Sequence, residues 1–385
     1  MESHPSELRT YAMLAKPVSS SCNLRCEYCY YRDKNLSLHV DCGRMNHEIL
    51  EAFIKQNLAM HGAEAVVEFA WHGGEPTLAG LDFFKEAVGL QEKYGKGRKI
   101  RNTLQTNGTL LTDEFCRFFK EKGFLIGISI DGPAEIHDRY RKNADGEGSF
   151  EKTMAGAALL QKHGVSFNTL TALNHFNAEY PLEVYRFLRS ITDYMQFLPV
   201  VECYPTKYEE NESQAFAAPP GIHSFRIKHP ATPFSISGEQ YGRFLLSVLK
   251  EWRDFDRGKK HIQIIDSTLS VLSGANASLC THDALCGHSG SVEANGDVYS
   301  CDRYAFTDYA IGNIMEEELS SIMEKNRRFG MHKTYGLSDD CFQCPYVKLR
   351  FGGCPKDRLS GGKNYLCEGY KMFFREILRR QRGHN

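Results

Sequence analysis

The stretch Cys22-Asn23-Leu24-Arg25-Cys26-Glu27-Tyr28-Cys29-Tyr30 sets three thiols at spacings of three and two intervening residues. Four thiolates are the usual protein complement of an iron–sulfur centre, so this loop is one ligand short. A coordination position left open invites a small molecule to bind the metal directly. The rest of the chain is therefore examined for what it brings to this loop.

Downstream, strands and helices alternate. Ile49, Leu50, Phe53, Ile54 and Leu58 recur at helical spacing over residues 46–60, and Val66–Trp71 follows as a strand. That strand runs into His72-Gly73-Gly74-Glu75-Pro76, a turn whose glycines let backbone approach a ligand closely. A helix over Asp82–Tyr94 precedes a strand, Ile100 to Gly108, that ends in a polar turn. Thr112 is placed to cap the helix Asp113–Lys122, with Asp113 and Glu114 favourable in its first turn. The pattern continues with a buried-type strand over Phe124–Ile130, ending at Asp131-Gly132-Pro133. Helices at Phe150–His163 and Leu182–Ser190 then alternate with strands at Ser166–Leu173 and Tyr194–Val201. Such alternation implies parallel βαβ units. The polar and glycine-rich residues collect just after strands, the edge where barrels and open α/β sheets bind ligands.

From Cys203 to about Ser237 the chain turns polar and proline-rich and reads as a linker or a substrate-facing insertion. Gly238–Phe255 reads as one amphipathic helix and Ile262–Leu272 as a further short element. Val292 to Cys301 has a hairpin signature in which Asn295-Gly296 supplies the positive-φ turn. The hairpin delivers Cys301 and Asp302 to a fixed place. Cys341-Phe342-Gln343-Cys344, Cys354 and Cys367 follow, the last before a helix over Glu368–Arg380. On their own these tail cysteines suit a structural zinc site as well as an iron–sulfur site.

The chain has 13 cysteines, 42% hydrophobic residues, and 47 basic against 48 acidic side chains. The balanced charge offers no argument for nucleic acid or an anionic membrane surface. No segment nears the ~20 apolar residues of a membrane span, and Met1–Thr10 carries no signal-like apolar run. A cytoplasmic protein is expected, and in a reducing compartment so many cysteines argue for metal or catalytic use rather than disulfides. The isolated Cys42, Cys116 and Cys203 read as small buried hydrophobes.

Cys22-x-x-x-Cys26-x-x-Cys29, with Tyr28 before the last cysteine, resembles the cluster motif of radical S-adenosylmethionine enzymes. Three matches follow in order. Gly73-Gly74-Glu75-Pro76 resembles the motif that meets the methionine amino group, and Ser129-Ile130-Asp131-Gly132-Pro133 and Arg141 resemble later cofactor contacts. The tail cysteines resemble the SPASM extension, which houses auxiliary [4Fe–4S] clusters. Within that group the chain is most similar to anaerobic sulfatase-maturating enzymes, from about Ala15 to Phe374. The likeness includes Lys16-Pro17-Val18, Gln105-Thr106-Asn107-Gly108-Thr109, Cys301-Asp302 and Asn364–Tyr370.

The resemblance implies an α/β protein: a partial (β/α)6 TIM-like barrel over 11–235, then a small cysteine-rich α+β SPASM domain over 236–385. It implies that Cys22, Cys26 and Cys29 hold a [4Fe–4S] cluster whose fourth iron chelates S-adenosylmethionine. Tyr28, Gly74, Ser129, Arg141 and, by a looser alignment, Val201 would contact that cofactor. A plain aromatic core role for Tyr28 stays open. The implied reaction converts a cysteine or serine of a sulfatase (Cys-x-Pro-x-Arg type) to formylglycine through a 5′-deoxyadenosyl radical, with Asp302 as base and a one-electron reductant such as flavodoxin or ferredoxin. Without the resemblance, Asp302 reads as a surface aspartate at a hairpin end.

Carried over residue by residue, Cys280, Cys286, Cys301 and Cys354 complete one auxiliary cluster. Cys341, Cys344 and Cys367 form a second that lacks its fourth thiolate, because Arg350 stands where the pattern has cysteine. A three-cysteine or weakened site is expected, since a protonated guanidinium has no lone pair to donate. Two rival functions differ in class. One is a SPASM enzyme that crosslinks another peptide, disfavoured because only about 21 residues precede Cys22 and leave no room for a precursor-recognition domain. The other is an electron-transfer protein, which would need neither the Gly73-Gly74 turn nor a barrel.

Overall fold

The computed structural model describes residues 12–32, 34, 43–203, 231–359 and 362–382. Six strands run parallel in sequence order: β1 (Ala12–Ala15), β2 (Val67–Trp71), β3 (Ile100–Thr106), β4 (Leu125–Ser129), β5 (Ser166–Leu173) and β6 (Tyr194–Pro199). Each is followed by a helix: α1 (His47–Ala59), α2 (Leu81–Gly95), α3 (Asp113–Glu121), α4 (Phe150–Lys162), α5 (Pro181–Ile191) and α6 (Gly238–Glu251). This is the expected (β/α)6 arrangement, in which parallel neighbours are joined by helical crossovers.

The helices form where the sequence stops competing with them. The Asn46 side chain accepts from the Ile49 amide and Thr112 from Phe115, so α1 and α3 begin on capped N-termini. Along β2, Val67, Phe69 and Trp71 are buried in alternation. Trp71 meets Phe53 of α1 and Phe83 and Phe84 of α2 edge to face. A second aromatic group, Phe115, Phe118, Phe119 and Phe124, continues that core under α3. The opposite face of the inner strands is left for polar groups such as Gln105, Ser129, Asn168 and Gln196, which hydrogen-bond across neighbouring strands.

The sheet does not stop at six strands. Its order is β10-β9-β8-β1-β2-β3-β4-β5-β6-β7. Here β7 is His261–Ile262, β8 Ser289–Val292, β9 Asp297–Tyr299 and β10 Ala310–Asn313. β8 pairs parallel with β1, Ala12 opposite Ser289, and the tail hairpin β8–β9 is antiparallel, Val292 opposite Val298. The chain's last third thereby covers both open edges of the half-barrel, which would otherwise present unpaired backbone. The sixth barrel helix, α6, and β7 lie beyond residue 235, so the sheet runs across the expected domain division.

Three local readings change. β1 had no distinguishing pattern and appears only because β2 and β8 flank it. The helix expected over Gly238–Phe255 ends in a π-turn, Trp252–Asp256. The element expected at Ile262–Leu272 is β7 followed by α7 (Gln263–Leu272). Most of the proposed linker, 204–230, and Cys42 lie outside the described residues. α8 (Leu319–Tyr335) and α9 (Cys367–Arg382) complete the tail. α9 lies on α6 so closely that a Cβ on Gly242 would come within 2.9 Å of the Gly369 Cα. No helix among the described residues is long and apolar enough to cross a membrane.

Candidate active site

The Cys22 loop leaves β1 and is tied down on two sides. The Arg25 amide donates to the Lys142 carbonyl at 2.7 Å and that of Glu27 to Tyr140 at 3.1 Å, laying the loop along the segment that carries Arg141. From β2, the Gly74 amide donates to the Ser19 carbonyl (2.8 Å) and that of Glu75 to Ser21 (2.9 Å). A Cβ on Gly74 would sit 2.1 Å from the Ser21 carbonyl oxygen, so only glycine allows this approach.

Glu75 is fully buried and serves as a knot. Its carboxylate accepts from the Thr77 amide and hydroxyl (3.1 and 2.6 Å), the Thr106 hydroxyl (2.8 Å) and the Asn107 amide (2.7 Å). Burial raises its pKa even against these bonds. Asn107 in turn donates to Asn23 at 2.9 Å, and Asn23 donates to Thr109 at 2.8 Å. The exits of β1, β2 and β3 are thus one polar network around the cysteine loop.

Cys22, Cys26, Cys29 and Gly74 share a cleft of about 700 Å³ that opens at the strand ends. Burial pushes Cys22 and Cys26 up to about 12. Glu75 and the other two thiols add to the effect at Cys22, while Arg141 opposes it at Cys26. Buried thiols that disfavour their own ionisation need a cation to become thiolates, which suits them as metal ligands.

Tyr28 and Arg141 converge on Asp131. The Tyr28 hydroxyl donates to its Oδ2, and the Arg141 guanidinium pairs with it through Nε and Nη2 at 3.0 and 3.2 Å. The Ala172 amide donates to Oδ1 at 2.9 Å. Ser129 accepts from Gln105 at 3.0 Å. Asp131 is the organising residue that motif reading overlooked, although it stands inside the quoted Ser129–Pro133 run. Val201 departs from the rest: its side chain is 1% exposed in the main core, whereas Val200 packs with Cys26 and Tyr28.

Asp302 follows β9 and meets the segment that carries the cysteine loop. Its Oδ1 lies 2.8 Å from Lys16 Nζ, and the Tyr30 hydroxyl donates to Oδ2. Lys16, fully buried, also reaches Glu293 at 3.3 Å, and Tyr31 donates to Glu293 at 2.5 Å. Burial alone would raise the Asp302 carboxyl. Lys16 and His72 overcome this, with hydrogen bonds from Lys16 and Tyr30, and hold it below the usual carboxylate range. Its carboxylate is ionised at neutral pH. Lys16, Tyr30, Tyr31 and Glu293 were not singled out from sequence as partners of Asp302; the lysine of Lys16-Pro17-Val18 was the one available signal.

The tail thiols fall into two groups. Burial, and then neighbouring thiols that include Cys354, raise Cys280, Cys286 and Cys301, Cys286 to about 12. The buried Lys333 braces the first of these loops by donating to the Cys280 carbonyl at 2.6 Å. Cys341, Cys344 and Cys367 line a separate small pocket with Arg350 and Tyr370. Among the described residues no three His, Cys, Asp or Glu side chains crowd closely enough to clasp a single metal ion. Cys116 and Cys203 are buried, as expected of lone hydrophobic cysteines.

Two family models match the chain: the radical SAM superfamily over residues 17–188 and an iron–sulfur cluster-binding domain over 286–345. The latter favours iron–sulfur over zinc for the tail. The chain is 44% identical to a serine-type anaerobic sulfatase-maturating enzyme of Bacteroides thetaiotaomicron, over 95% of this chain and 89% of that one. It is 34% identical to a cysteine-type anaerobic sulfatase-maturating enzyme of Clostridium perfringens, over 94% and 95%. The solved structure of native anSMEcpe with bound AdoMet and Kp18Cys peptide superposes with a TM-score of 0.82 at 33% identity, covering 96% of this chain and 97% of that one.

Proposed function

Because the chain belongs to the anaerobic sulfatase-maturating enzymes, a radical S-adenosylmethionine family with a cluster-binding tail, we propose a role for each part of its site. The reaction is oxidation of a cysteine or serine in a target sulfatase to formylglycine. A reduced [4Fe–4S] cluster held by Cys22, Cys26 and Cys29 would, with S-adenosylmethionine, supply the abstraction of one hydrogen atom from the substrate Cβ. The substrate must also lose one proton and one further electron: a serine thereby reaches the aldehyde, and a cysteine the thioaldehyde, which water converts to the aldehyde with release of hydrogen sulfide.

Cys22, Cys26 and Cys29 are the ligands of the radical cluster, and the backbone at Gly74, with Ser129, Tyr28 and Arg141, orients the cofactor above it. Asp131 holds Tyr28 and Arg141 in place. Val201, just beyond β6, contributes to the wall. Asp302 takes the thiol or hydroxyl proton, and Lys16 and Tyr30 keep it ionised and aimed. Cys280, Cys286, Cys301 and Cys354 hold one auxiliary cluster. Cys341, Cys344 and Cys367 hold a second through three thiolates, with Arg350 at the missing corner. By chemistry, residues 11–235 are the radical unit and 236–385 the auxiliary unit. We place the reaction in the cytosol, where the 13 cysteines are kept out of disulfides, with a flavodoxin- or ferredoxin-type reductant.

The ionised Asp302, tied by Lys16 to the exit of β1 and by Tyr30 to the cysteine loop, is the observation that carries this reading. Incubating reduced enzyme and S-adenosylmethionine anaerobically with a Cys-x-Pro-x-Arg peptide should give a mass loss of about 18 Da, the thiol-to-aldehyde change that this cofactor chemistry produces. The serine peptide should lose about 2 Da by the same oxidation. Formation of 5′-deoxyadenosine only with an unrelated peptide would sink the sulfatase assignment and favour peptide crosslinking.

A further inference from the structure

We propose that Arg350 is the counter-ion and hydrogen-bond donor of a three-thiolate iron–sulfur cluster in the outer pocket, neither a ligand to it nor a plug in an abandoned site. This rests on the reading that Cys341, Cys344 and Cys367 hold a cluster, and adds to it what Arg350 does there.

Arg350 is 6% exposed, and its Nε and Nη2 have no hydrogen-bond partner among the described residues. Its guanidinium carbon stands 3.5 Å from the centre of the Tyr370 ring. That contact engages one face of the guanidinium through cation–π attraction. It leaves the Nε and Nη2 donors unused. A buried cation is tolerated when it is paired and hydrogen-bonded, and no described carboxylate does this for Arg350. Asp340, the acidic side chain lining the pocket, is exposed at its rim. Lys363 and Lys371 add two more positive charges to the wall, their nitrogens 3.4 and 3.5 Å from Glu368. The pocket therefore presents three cations and three thiols, with donors left unmet.

An iron–sulfur core held by three thiolates is a net anion with hydrogen-bond-accepting sulfides, and it meets this demand. A pocket merely vacated would strand the guanidinium. Arg350 cannot complete the coordination, because a protonated guanidinium has no free lone pair. Its effect is on charge: a fixed cation beside the cluster favours the more negative, reduced state and raises the reduction potential. Arg350 also stands toward the inner group. A Cβ on Gly353, the neighbour of Cys354, would lie 2.1 Å from Arg350 Nη2.

The test is an iron and sulfide count with an EPR-monitored redox titration on anaerobically reconstituted full-length enzyme. Wild type and the variants Arg350→Leu, Arg350→Lys and Arg350→Cys are compared. Wild type should carry iron for three clusters, about eleven or twelve per chain for four-iron centres. Arg350→Leu should lose the outer cluster or lower its potential while the other two signals stay. Arg350→Lys should keep cluster and potential near wild type, and Arg350→Cys should keep the cluster but lower its potential. Iron for two clusters only in wild type would remove the outer cluster and the inference with it. Three clusters in wild type, with an outer potential and occupancy unchanged in Arg350→Leu, would leave the cluster standing and overturn the role of Arg350.

Discussion

Asp302 shows how far a single residue can be read. Its place directly after Cys301 marks it in the sequence, but its ionisation is decided by Lys16, Tyr30 and His72, which come from the two loops after β1 and β2. Exchanging its carboxylate for an amide removes the acceptor and little volume. Asp302→Asn should therefore still release 5′-deoxyadenosine while formylglycine falls by about 10²–10⁴-fold, the usual worth of a general base. Chromatography of both products from one reaction checks this, and an undiminished aldehyde yield would take Asp302 out of the base role. The cysteines were legible because thiol spacing is chemistry written along the chain. The partners of Asp302 were not, since Lys16 and Tyr30 are separated from it by most of the sequence. Val200 was not singled out either, although it packs with Cys26 and Tyr28 while Val201 lies in the main core; in extended chain one residue turns the side chain to the other face.

At the scale of elements, the helices and inner strands followed their periodicity to within a residue or two. Each is long enough to show an apolar stripe or alternation, and Asn46 and Thr112 capped where capping residues should. β1 escaped because four residues carry no readable period; its strand conformation is imposed by Phe69–Trp71 on one side and Ser289–Val292 on the other. The turn after β4 depends on His137. Its Nδ1 lies 3.3 Å from the Asp131 amide and its Nε2 3.1 Å from the Ser149 hydroxyl. Burial, and then Arg141, lower its pKa from 6.5 to about 3. The unfolded chain thus takes up a proton below pH 6.5 that the folded chain refuses until about pH 3. Stability contributed by the neutral ring is full above 6.5 and falls as pH drops, by up to about 1.4 kcal/mol per pH unit. Urea unfolding of wild type and His137→Gln between pH 7 and about 5 should show a shallower slope in the variant; parallel slopes would assign the acid sensitivity elsewhere.

Across the whole molecule, the tail is built into the barrel rather than appended to it. β8 extends the barrel sheet from β1, α9 lies on α6, and Lys16 binds the carboxylates of Glu293 and Asp302 inside the protein. Lys16→Met keeps the bulk and removes the charge, leaving two buried carboxylates without their cation. It should cost about 3–5 kcal/mol, as expected when one partner of a buried ion pair is deleted. Urea unfolding measures it, and a loss below 1 kcal/mol would mean that solvent reaches these carboxylates.

By itself the sequence determined the chemistry and the class of fold. Three spaced thiols, a diglycine turn and alternating βα units are local signals, and each carries its physical meaning in consecutive residues. Tertiary structure alone decided what surrounds that chemistry: that the tail hairpin closes the sheet beside β1, that Asp131 gathers Tyr28 and Arg141, that Lys16 holds Asp302 ionised, and that Arg350 stands buried among three thiols with its donors unused. These depend on charges and strand edges brought together from distant parts of the chain, and such contacts leave no periodicity for a sequence to display.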